Sequence, residues 1–512
     1  MRIDVVLAAL ILSAGVVRAE TPLSAIDWLS ESVVTPVAMP DPANPDETAV
    51  IEGGALPLDV SVSVLDGPSP DAVGLLPAAV TGLPRNLWGL GRTDDIVALL
   101  GKQSLEGLPA LQSLLITLLL AEAEAPADAG MSGRLLIARI DTLLGMGALD
   151  QARALLDAAG PATTPDLFRR SFDVALLTGD EDRACEAMRA TPGLAPTFPA
   201  RIFCLARSGD WSAAALSLST GQALGQLTPP EVELLTRFLD PELVPEDDTL
   251  PAPSPVTPLD WRMFEAIGAP LPTSSLPLAF AHAELRDTAG WKAQIEAAER
   301  LVRAGAISPN VLLGLYTERT PAASGGVWDR ADAFQVFDAA LTRADPLAVA
   351  RALPEVWAQM VRMELEVPFA TLYAAALAKL PLSAEAARLA FEIALLSPDY
   401  ERLGAQRAAQ SPREAFLLAV TKGSLNAATP PDSMARAITP AFVSPGVAPE
   451  FSAMLDQLRV GEAILLATQR IATGVQGDLR GVTEGLSLLR RIGLEDVARR
   501  VALELMLLER RG

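Results

Sequence analysis

The chain of 512 residues carries a formal net charge of −22, half of its residues are hydrophobic, and only 5% are aromatic. The charge argues against nucleic acid and anionic membrane surfaces as partners, because both would repel an acidic protein. It permits a basic protein partner, although an acidic charge is also common in exported proteins. Abundant alanine and leucine with few aromatics favour helices packed on helices, so we expect a large all-α protein.

The first 19 residues have the features of a cleavable signal peptide. Arg2 supplies a positive charge, residues 5–17 form an apolar run, and the triplet 17–19 fits a small-residue cleavage site. An uncleaved anchor helix is the alternative, but this run of about 13 residues is too short to span a bilayer. Since no later segment resembles a membrane span, the sequence predicts a periplasmic protein cleaved near Ala19-Glu20.

Residues 20–83 form an N-terminal segment of mixed character. Residues 21–34 predict a short helix, whereas residues 37–70 are rich in proline, aspartate and glycine. Within that stretch, residues 59–65 alternate valine with serine, which is typical of a β-strand. A partner strand at 48–52 would complete a hairpin. We expect this β element to cap the helical array, with pairing to another chain as the alternative.

Residues 84–240 contain a repeat centred on three glycines. Gly147, Gly179 and Gly209 lie 32 and 30 residues apart, and apolar residues recur eleven, seven and four residues before each one. These offsets form one stripe of a helix, and a glycine in the left-handed conformation would end that helix. The residues at the three offsets are Leu136, Phe168 and Phe198, then Ile140, Phe172 and Ile202, then Leu143, Ala175 and Leu205.

A second helix is expected after each glycine. Asp180 and Asp210 directly follow their glycines, where an aspartate can cap the next helix. Five residues after each glycine stand small side chains that let two antiparallel helices approach closely, namely Ala152, Ala184 and Ala214. Nine residues after each glycine stand large apolar ones, namely Leu156, Met188 and Leu218.

This pattern resembles the tetratricopeptide repeat, most clearly at 135–218 and again at 482–502. The C-terminal copy consists of Val482, Leu486, Leu489, Gly493, Ala498 and Ala502. The chain departs from the family where Ile140, Phe172 and Ile202 occupy its small-residue position. The resemblance implies a right-handed superhelix of antiparallel hairpins, an α-solenoid that serves as a protein-docking scaffold. Ordinary helix packing with coincidentally spaced glycines is the alternative.

The two cysteines lie on adjacent predicted helices. Cys185 is near the start of one helix and Cys204 is near the end of the next, and an antiparallel turn at 192–199 brings them level. We expect a disulfide, which for a loop of this size would contribute about 3 kcal/mol. An oxidising compartment agrees with this pairing. Two buried free thiols are the alternative.

Proline-rich stretches divide the rest of the chain. Residues 241–260 hold six prolines and an acidic run, which indicates an exposed linker. A second helical array is expected at 261–428, followed by a proline-rich loop at 429–450 and C-terminal helices at 451–512. The helices predicted within the second array are 292–304, 332–342, 347–363, 369–380 and 384–396.

The sequence shows no catalytic, metal-binding or cofactor motif. His282 is the only histidine, and its apolar surroundings are typical of a packing residue. The Gly89-Leu90-Gly91 triplet lacks the preceding strand of a phosphate-binding loop. We therefore predict no catalytic residue, no metal and no cofactor. A hydrolase that acts on peptidoglycan with a pair of carboxylates is the alternative from a different class.

Residues 308–330 are the candidate partner-binding segment. They gather interface-forming side chains around a Ser324-Gly325-Gly326 turn, because tyrosine, tryptophan and arginine combine large contact area with directed donors. The candidate residues are Asn310, Tyr316, Arg319, Trp328, Asp329 and Arg330. The alternative is a loop between helices in which Asn310 caps a helix and Arg319 pairs with a carboxylate.

These observations together predict a periplasmic, non-enzymatic helical scaffold or adaptor. A stacked array exposes a long concave surface that can bind other envelope proteins, with motility, secretion or cell-wall machinery as candidate clients. A carrier that holds a peptide or small ligand near residues 308–330 is a further alternative to the hydrolase.

Overall fold

The computed structural model describes residues 69–160, 164–240 and 250–508. Across these residues the backbone forms helices and turns, with one isolated parallel bridge between Leu76 and Ala121 and no strand. The all-α prediction is therefore confirmed for this part of the chain. The predicted signal peptide, the helix at 21–34 and the β element at 48–65 lie outside the described residues.

Eleven α-helices lie between residues 69 and 266 of the described chain. They are α1 (Ala78–Thr81), α2 (Thr93–Leu100), α3 (Pro109–Leu120), α4 (Arg134–Gly145), α5 (Leu149–Ala159), α6 (Pro165–Thr178), α7 (Glu181–Ala190), α8 (Phe198–Arg207), α9 (Trp211–Ala223), α10 (Pro229–Leu239) and α11 (Pro258–Ala266). Short 3₁₀ helices occupy Pro70–Ala72 and Pro192–Leu194.

Thirteen more α-helices follow in the described residues up to 508. They are α12 (Trp291–Arg303), α13 (Pro309–Glu318), α14 (Val327–Thr342), α15 (Pro346–Arg362), α16 (Glu366–Leu377), α17 (Ala384–Leu395), α18 (Tyr400–Gly404), α19 (Pro412–Thr421), α20 (Ser433–Val443), α21 (Pro449–Asp456), α22 (Val460–Val475), α23 (Leu479–Arg491) and α24 (Glu495–Leu507). The 3₁₀ helices Thr273–Ser275 and Leu278–Leu285 precede α12.

The glycines end their helices as the repeat pattern predicts. Gly147, Gly179 and Gly209 have φ angles of +76°, +83° and +84°, which is the left-handed conformation. Each separates the two helices of a hairpin, in the pairs α4 and α5, α6 and α7, and α8 and α9. The alanines five residues later are buried, so the helices of each hairpin pack closely there.

The predicted N-caps are confirmed at one hairpin only. Asp210 accepts a hydrogen bond from Ala213 N at 3.1 Å and so caps α9. Asp180 stands at the N-cap of α7, but its carboxylate forms an ion pair with Arg153 of the preceding hairpin instead. The predicted cap at Asp180 is therefore wrong, because the neighbouring guanidinium competes for the carboxylate.

The predicted disulfide is confirmed. Cys185 of α7 and Cys204 of α8 are bonded, with their Cα atoms 5.0 Å apart. Both cysteines are buried in a cluster that also contains Phe172, Met188 and Phe203. The bond therefore links two consecutive hairpins inside a packed core.

Helices also occupy part of two stretches that the sequence predicts to be a linker and a loop. The predicted linker 241–260 overlaps the start of α11, because this helix begins at Pro258. Thr257 and Asp260 form a capping box at its N-terminus. Leu235 from before the segment and Met263 from after it belong to the same buried cluster. The helices on both sides of the segment thus share a core.

The loop predicted at 429–450 is wrong at its centre, where α20 forms. Asp432 caps this helix by accepting a hydrogen bond from Ala435 N at 2.8 Å. Pro440 lies inside the helix, and a helical proline costs about 3 kcal/mol. Burial of Ile438 and Phe442 against the core offsets that cost, because each fully buried apolar side chain contributes about 1.5–3 kcal/mol.

Helices near the two ends of the described chain pack against each other. α3 contacts α24, and α2 contacts α22. Backbone hydrogen bonds join Gly461 N to Leu87 O at 2.8 Å and Leu90 N to Gln457 O at 3.1 Å. The last helices of the described chain therefore return to the first ones and border a half-open cavity with them, instead of extending as an open-ended row.

Candidate functional site

The candidate site is a half-open cavity of about 630 Å³, which we call the inner cavity. Its walls come from stretches that are far apart in sequence: α3, the start of α5, the turn between α12 and α13, the start of α16, the end of α17, and α24. Because helices near the two ends of the described chain pack together, residues near 75 and near 504 line the same space. The volume falls in the range of sites that hold a small molecule or a short peptide segment.

Helix N-termini form the polar part of the inner cavity. The first turns of α3, α5, α13 and α16 all border it. The first backbone N–H groups of a helix lack intrahelical acceptors, and the helix dipole makes this end positive. At α3 the protein itself supplies an acceptor for one of these N–H groups. Glu504 accepts from Ala110 N with both carboxylate oxygens, at 3.1 and 3.0 Å.

Several side chains add charge and hydrogen-bonding capacity to the inner cavity. Arg303 lines it without an ion pair among the described residues. Arg500 lies beside Asp496, with 3.2 Å between Nε and Oδ2. The Oε1 atom of Gln151 is buried and has no hydrogen-bond partner within the described chain.

The remaining walls of the inner cavity are apolar. Their residues include Leu75, Ile116, Leu120, Val302, Ile307, Val367 and Leu395. Apolar walls with positive helix ends and an unpaired arginine suit a segment that brings apolar side chains together with carbonyl or carboxylate acceptors.

The structure separates the residues of the candidate segment 308–330. Ten residues of the segment form helix α13. This helix begins after Ser308, whose Oγ accepts from Asn310 N at 3.3 Å. Ser308 and Pro309 border the inner cavity, whereas none of the six candidate residues does. Asn310, Arg319 and Asp329 are exposed. Arg319 pairs with the adjacent Glu318, and Asp329 accepts from Gly325 N at 2.8 Å.

Three of the candidate residues belong to the packing of the helices. Tyr316 is fully buried and donates from its hydroxyl to Glu299 at 2.6 Å. Arg330 donates to both oxygens of Glu299, at 2.7 and 2.6 Å. Trp328 packs against Trp291 with 5.1 Å between the ring centroids. Burial and the neighbouring Glu299 raise the pKa of Tyr316 well above its usual value.

His282 connects the 3₁₀ helix Leu278–Leu285 to the first hairpin. Its Nε2 lies 3.1 Å from the carbonyl oxygen of Gly147, so that nitrogen carries the proton and donates it. Burial lowers the pKa of this histidine to about 3. His282 is thus a neutral packing residue that borders no described cavity.

Sequence reasoning did not identify the inner cavity. Its residues come from positions up to about 400 apart, and each belongs to an ordinary helix start or apolar stripe. A proline or a capping residue before an apolar run predicts each of these helix starts. This local pattern does not show that the helix starts border one cavity.

Comparison of the chain with known protein families, with curated proteins and with solved structures finds no match. Among the described residues, no helix is long and apolar enough to cross a membrane, and no group of acidic, histidine or cysteine side chains could hold a metal ion. In the described residues, fold and site define an all-α arrangement with a half-open cavity and a disulfide-linked pair of hairpins.

Proposed function

We propose that this chain is an exported, non-enzymatic helical adaptor of the bacterial periplasm that binds a segment of another envelope protein in its inner cavity. The hairpins form a right-handed superhelix similar to a tetratricopeptide array, curved until its ends meet. The observation that carries the proposal is the inner cavity itself, in which apolar walls alternate with the polar starts of four helices. The buried disulfide supports an oxidising compartment.

The test fills the inner cavity without disturbing the core. Ala154 and Ala158 are both exposed alanines of α5, but only Ala154 lines the cavity. A photo-crosslinking residue at Thr371, on the opposite wall, would capture the bound segment in living cells, and mass spectrometry would identify it. Ala154→Trp should abolish this crosslink, whereas Ala158→Trp should preserve it. Equal crosslinking in both variants would contradict the proposal.

A small-ligand carrier is the second candidate function, and the cavity volume favours it. Native mass spectrometry of the protein purified from its own periplasm separates the two. A bound small molecule that Ala154→Trp displaces would support the carrier. The hydrolase alternative is tested by a zymogram on purified peptidoglycan, in which clearing by the wild-type chain would overturn a non-enzymatic role.

A further inference from the structure

A second cavity, which we call the acidic cavity, lies away from the inner cavity and shares no residue with it. It measures about 640 Å³ and is bounded by α6, by the starts of α8, α10 and α11, and by the turn after α9. Phe172, Phe198 and Leu227 provide apolar walls. The acidic cavity is therefore large enough for a side chain and part of the backbone of a bound peptide.

Asp173 gives the acidic cavity an unsatisfied acceptor. This residue of α6 lines the cavity and is only 8% exposed, and its Oδ2 has no hydrogen-bond partner in the described part of the chain. The nearby Arg170 is already bound by both oxygens of Asp141, at 2.5 and 2.6 Å. A buried carboxylate without a partner costs stability, so its presence calls for a group that completes it.

Two further carboxylates of the acidic cavity keep one oxygen free. Glu231 uses Oε2 to accept from the backbone N and hydroxyl of Thr228, both at 2.7 Å. Asp260 uses Oδ2 in the same way with Thr257, at 3.1 and 2.7 Å. The second oxygen of each makes no hydrogen bond within the described residues. The cavity thus offers acceptors at three separate positions.

The charge of the acidic cavity selects for a donor-rich cation. Its three carboxylates, Asp173, Glu231 and Asp260, face two arginines, Arg169 and Arg201. Burial raises the pKa of Asp173 to about 7 and also raises that of Asp260, so a cationic ligand would stabilise their ionised forms. The carboxylates do not converge on one point as metal ligands would.

We propose that the acidic cavity binds an arginine side chain of an extended segment of a basic partner protein. A guanidinium has five donors in a planar fork, which can serve acceptors at several positions, and its faces pack on aromatic rings such as Phe172 and Phe198. The net charge of −22 attracts a basic segment to the protein. This inference rests on the proposed adaptor function and names the chemistry of its partner.

The test measures binding of two peptides to the purified full-length chain by isothermal titration calorimetry. One peptide is acetyl-Ala-Leu-Arg-Leu-Ala-amide, and the other carries neutral citrulline in place of arginine. The arginine peptide should bind at least about tenfold more tightly, because citrulline lacks the positive charge that would pair with the Asp173 carboxylate. Equal affinity of the two peptides would overturn the proposal, and so would tighter binding of free L-arginine than of the arginine peptide.

Variants locate the binding at the acidic cavity. Asp173→Asn should weaken binding of the arginine peptide about tenfold and leave the affinity for the citrulline peptide unchanged. Asp182→Asn removes a charge from the exposed face of α7, outside the cavity, and should have no effect. Glu231→Gln keeps the capping box and should also weaken binding of the arginine peptide. This variant tests the site independently if Asp173→Asn does not fold. Unchanged arginine-peptide affinity in the folded cavity variants would refute the site.

The peptide experiment is independent of the crosslink in the inner cavity. Absence of arginine selectivity, with the Ala154-dependent crosslink intact, would refute the acidic cavity and leave the adaptor function standing. Absence of the crosslink with arginine selectivity intact would refute docking in the inner cavity while the acidic cavity remains a site for basic peptides.

Discussion

Buried charges in this protein differ according to whether each finds a partner. Glu299 is 2% exposed and receives three hydrogen bonds, one from Tyr316 and two from Arg330. Asp173 is also buried but lacks a partner for one oxygen. The first arrangement stabilises the helices around it, whereas the second leaves a buried acceptor unsatisfied.

Glu299→Ala should lower the free energy of unfolding by about 3–5 kcal/mol, because it leaves the half-buried Arg330 guanidinium without its counter-ion. Tyr316→Phe should lower it by about 1–2 kcal/mol through loss of one hydrogen bond to a charged group. Arg319→Ala is the control, since its exposed pair with Glu318 contributes at most about 0.5 kcal/mol. Urea unfolding measures all three. A loss at Arg319 equal to that at Glu299 would contradict this assignment.

His282 should make stability depend on pH. Its pKa in the folded protein is about 3, below the ordinary value of 6.5, so the unfolded chain binds a proton that the folded one does not between these pH values. The stability that this residue contributes is complete above pH 6.5 and falls by up to about 1.4 kcal/mol per unit as pH drops towards 3.

His282→Gln retains a donor for the Gly147 carbonyl but cannot titrate. The difference in unfolding free energy between wild type and this variant should therefore favour the wild type most at pH 7 and shrink between pH 6.5 and 4. Urea unfolding across that range measures it. Comparing the difference also cancels the opposite contribution of Asp173, whose raised pKa reduces stability as pH rises from 4 to 7. A constant difference would show that His282 is accessible to protons in the folded state.

At the scale of elements, hairpins repeat with the same backbone but different surroundings. Gly147 and Gly209 have φ angles within ten degrees of each other. A Cβ at Gly209 would meet open space, whereas one at Gly147 would lie 3.0 Å from Leu278 Cδ2 and 3.3 Å from Ala306 Cβ. The first hairpin thus packs against the 3₁₀ helix Leu278–Leu285 and the turn after α12, whereas the turn of the third hairpin has open space around it.

Gly209→Ala should lower the unfolding free energy by about 1–2 kcal/mol, the strain of a left-handed alanine. Gly147→Ala carries the same strain and a clash besides, so it should cost about 1–3 kcal/mol more. Thermal and urea unfolding of the two variants provide a matched comparison. Equal losses would mean that the contact with Leu278 relaxes without cost.

At the scale of the whole molecule, closure depends on contacts between helices near the two ends of the described chain. Glu504 of α24 binds the first turn of α3 from 394 positions away in sequence. Gln103 likewise donates to Leu465 O at 3.2 Å and accepts from Thr468 Oγ1 at 2.8 Å. The Glu504 bonds join α24 to α3 in the wall of the inner cavity, and the Gln103 bonds join the turn after α2 to α22 outside it.

Glu504→Ala should loosen this wall more than the rest of the molecule. Loss of the carboxylate leaves Ala110 N unsatisfied, which costs about 1–3 kcal/mol. Hydrogen–deuterium exchange should therefore accelerate in the first turn of α3, with little change in α14 or α15. Glu296→Ala, which removes an exposed ion pair with Lys292, is the control. Uniform protection in both variants would argue that α3 is held by apolar packing alone.

Local patterns in the sequence predicted the hairpins, the left-handed glycines at 147, 179 and 209, and the bond between Cys185 and Cys204. These features depend on residues within one or two helical turns or on adjacent helices, so their physical causes lie close together along the chain. The helix at 433–443 was not predicted, because the prolines in and around it indicate a loop. Burial of Ile438 and Phe442 stabilises the helix, and the local sequence does not show this burial.

Tertiary structure alone decided the closure, the two cavities and the partners of the buried charges. Arg169 and Asp173 stand four residues apart, a spacing that favours an exposed ion pair on a helix, yet both are buried and Asp173 lines a cavity. Tyr316 and Arg330 are of residue types that are common in interfaces, yet both donate hydrogen bonds to the buried Glu299. Burial and charge pairing depend on which helices meet, and contacts across hundreds of residues leave no periodic signal in the sequence.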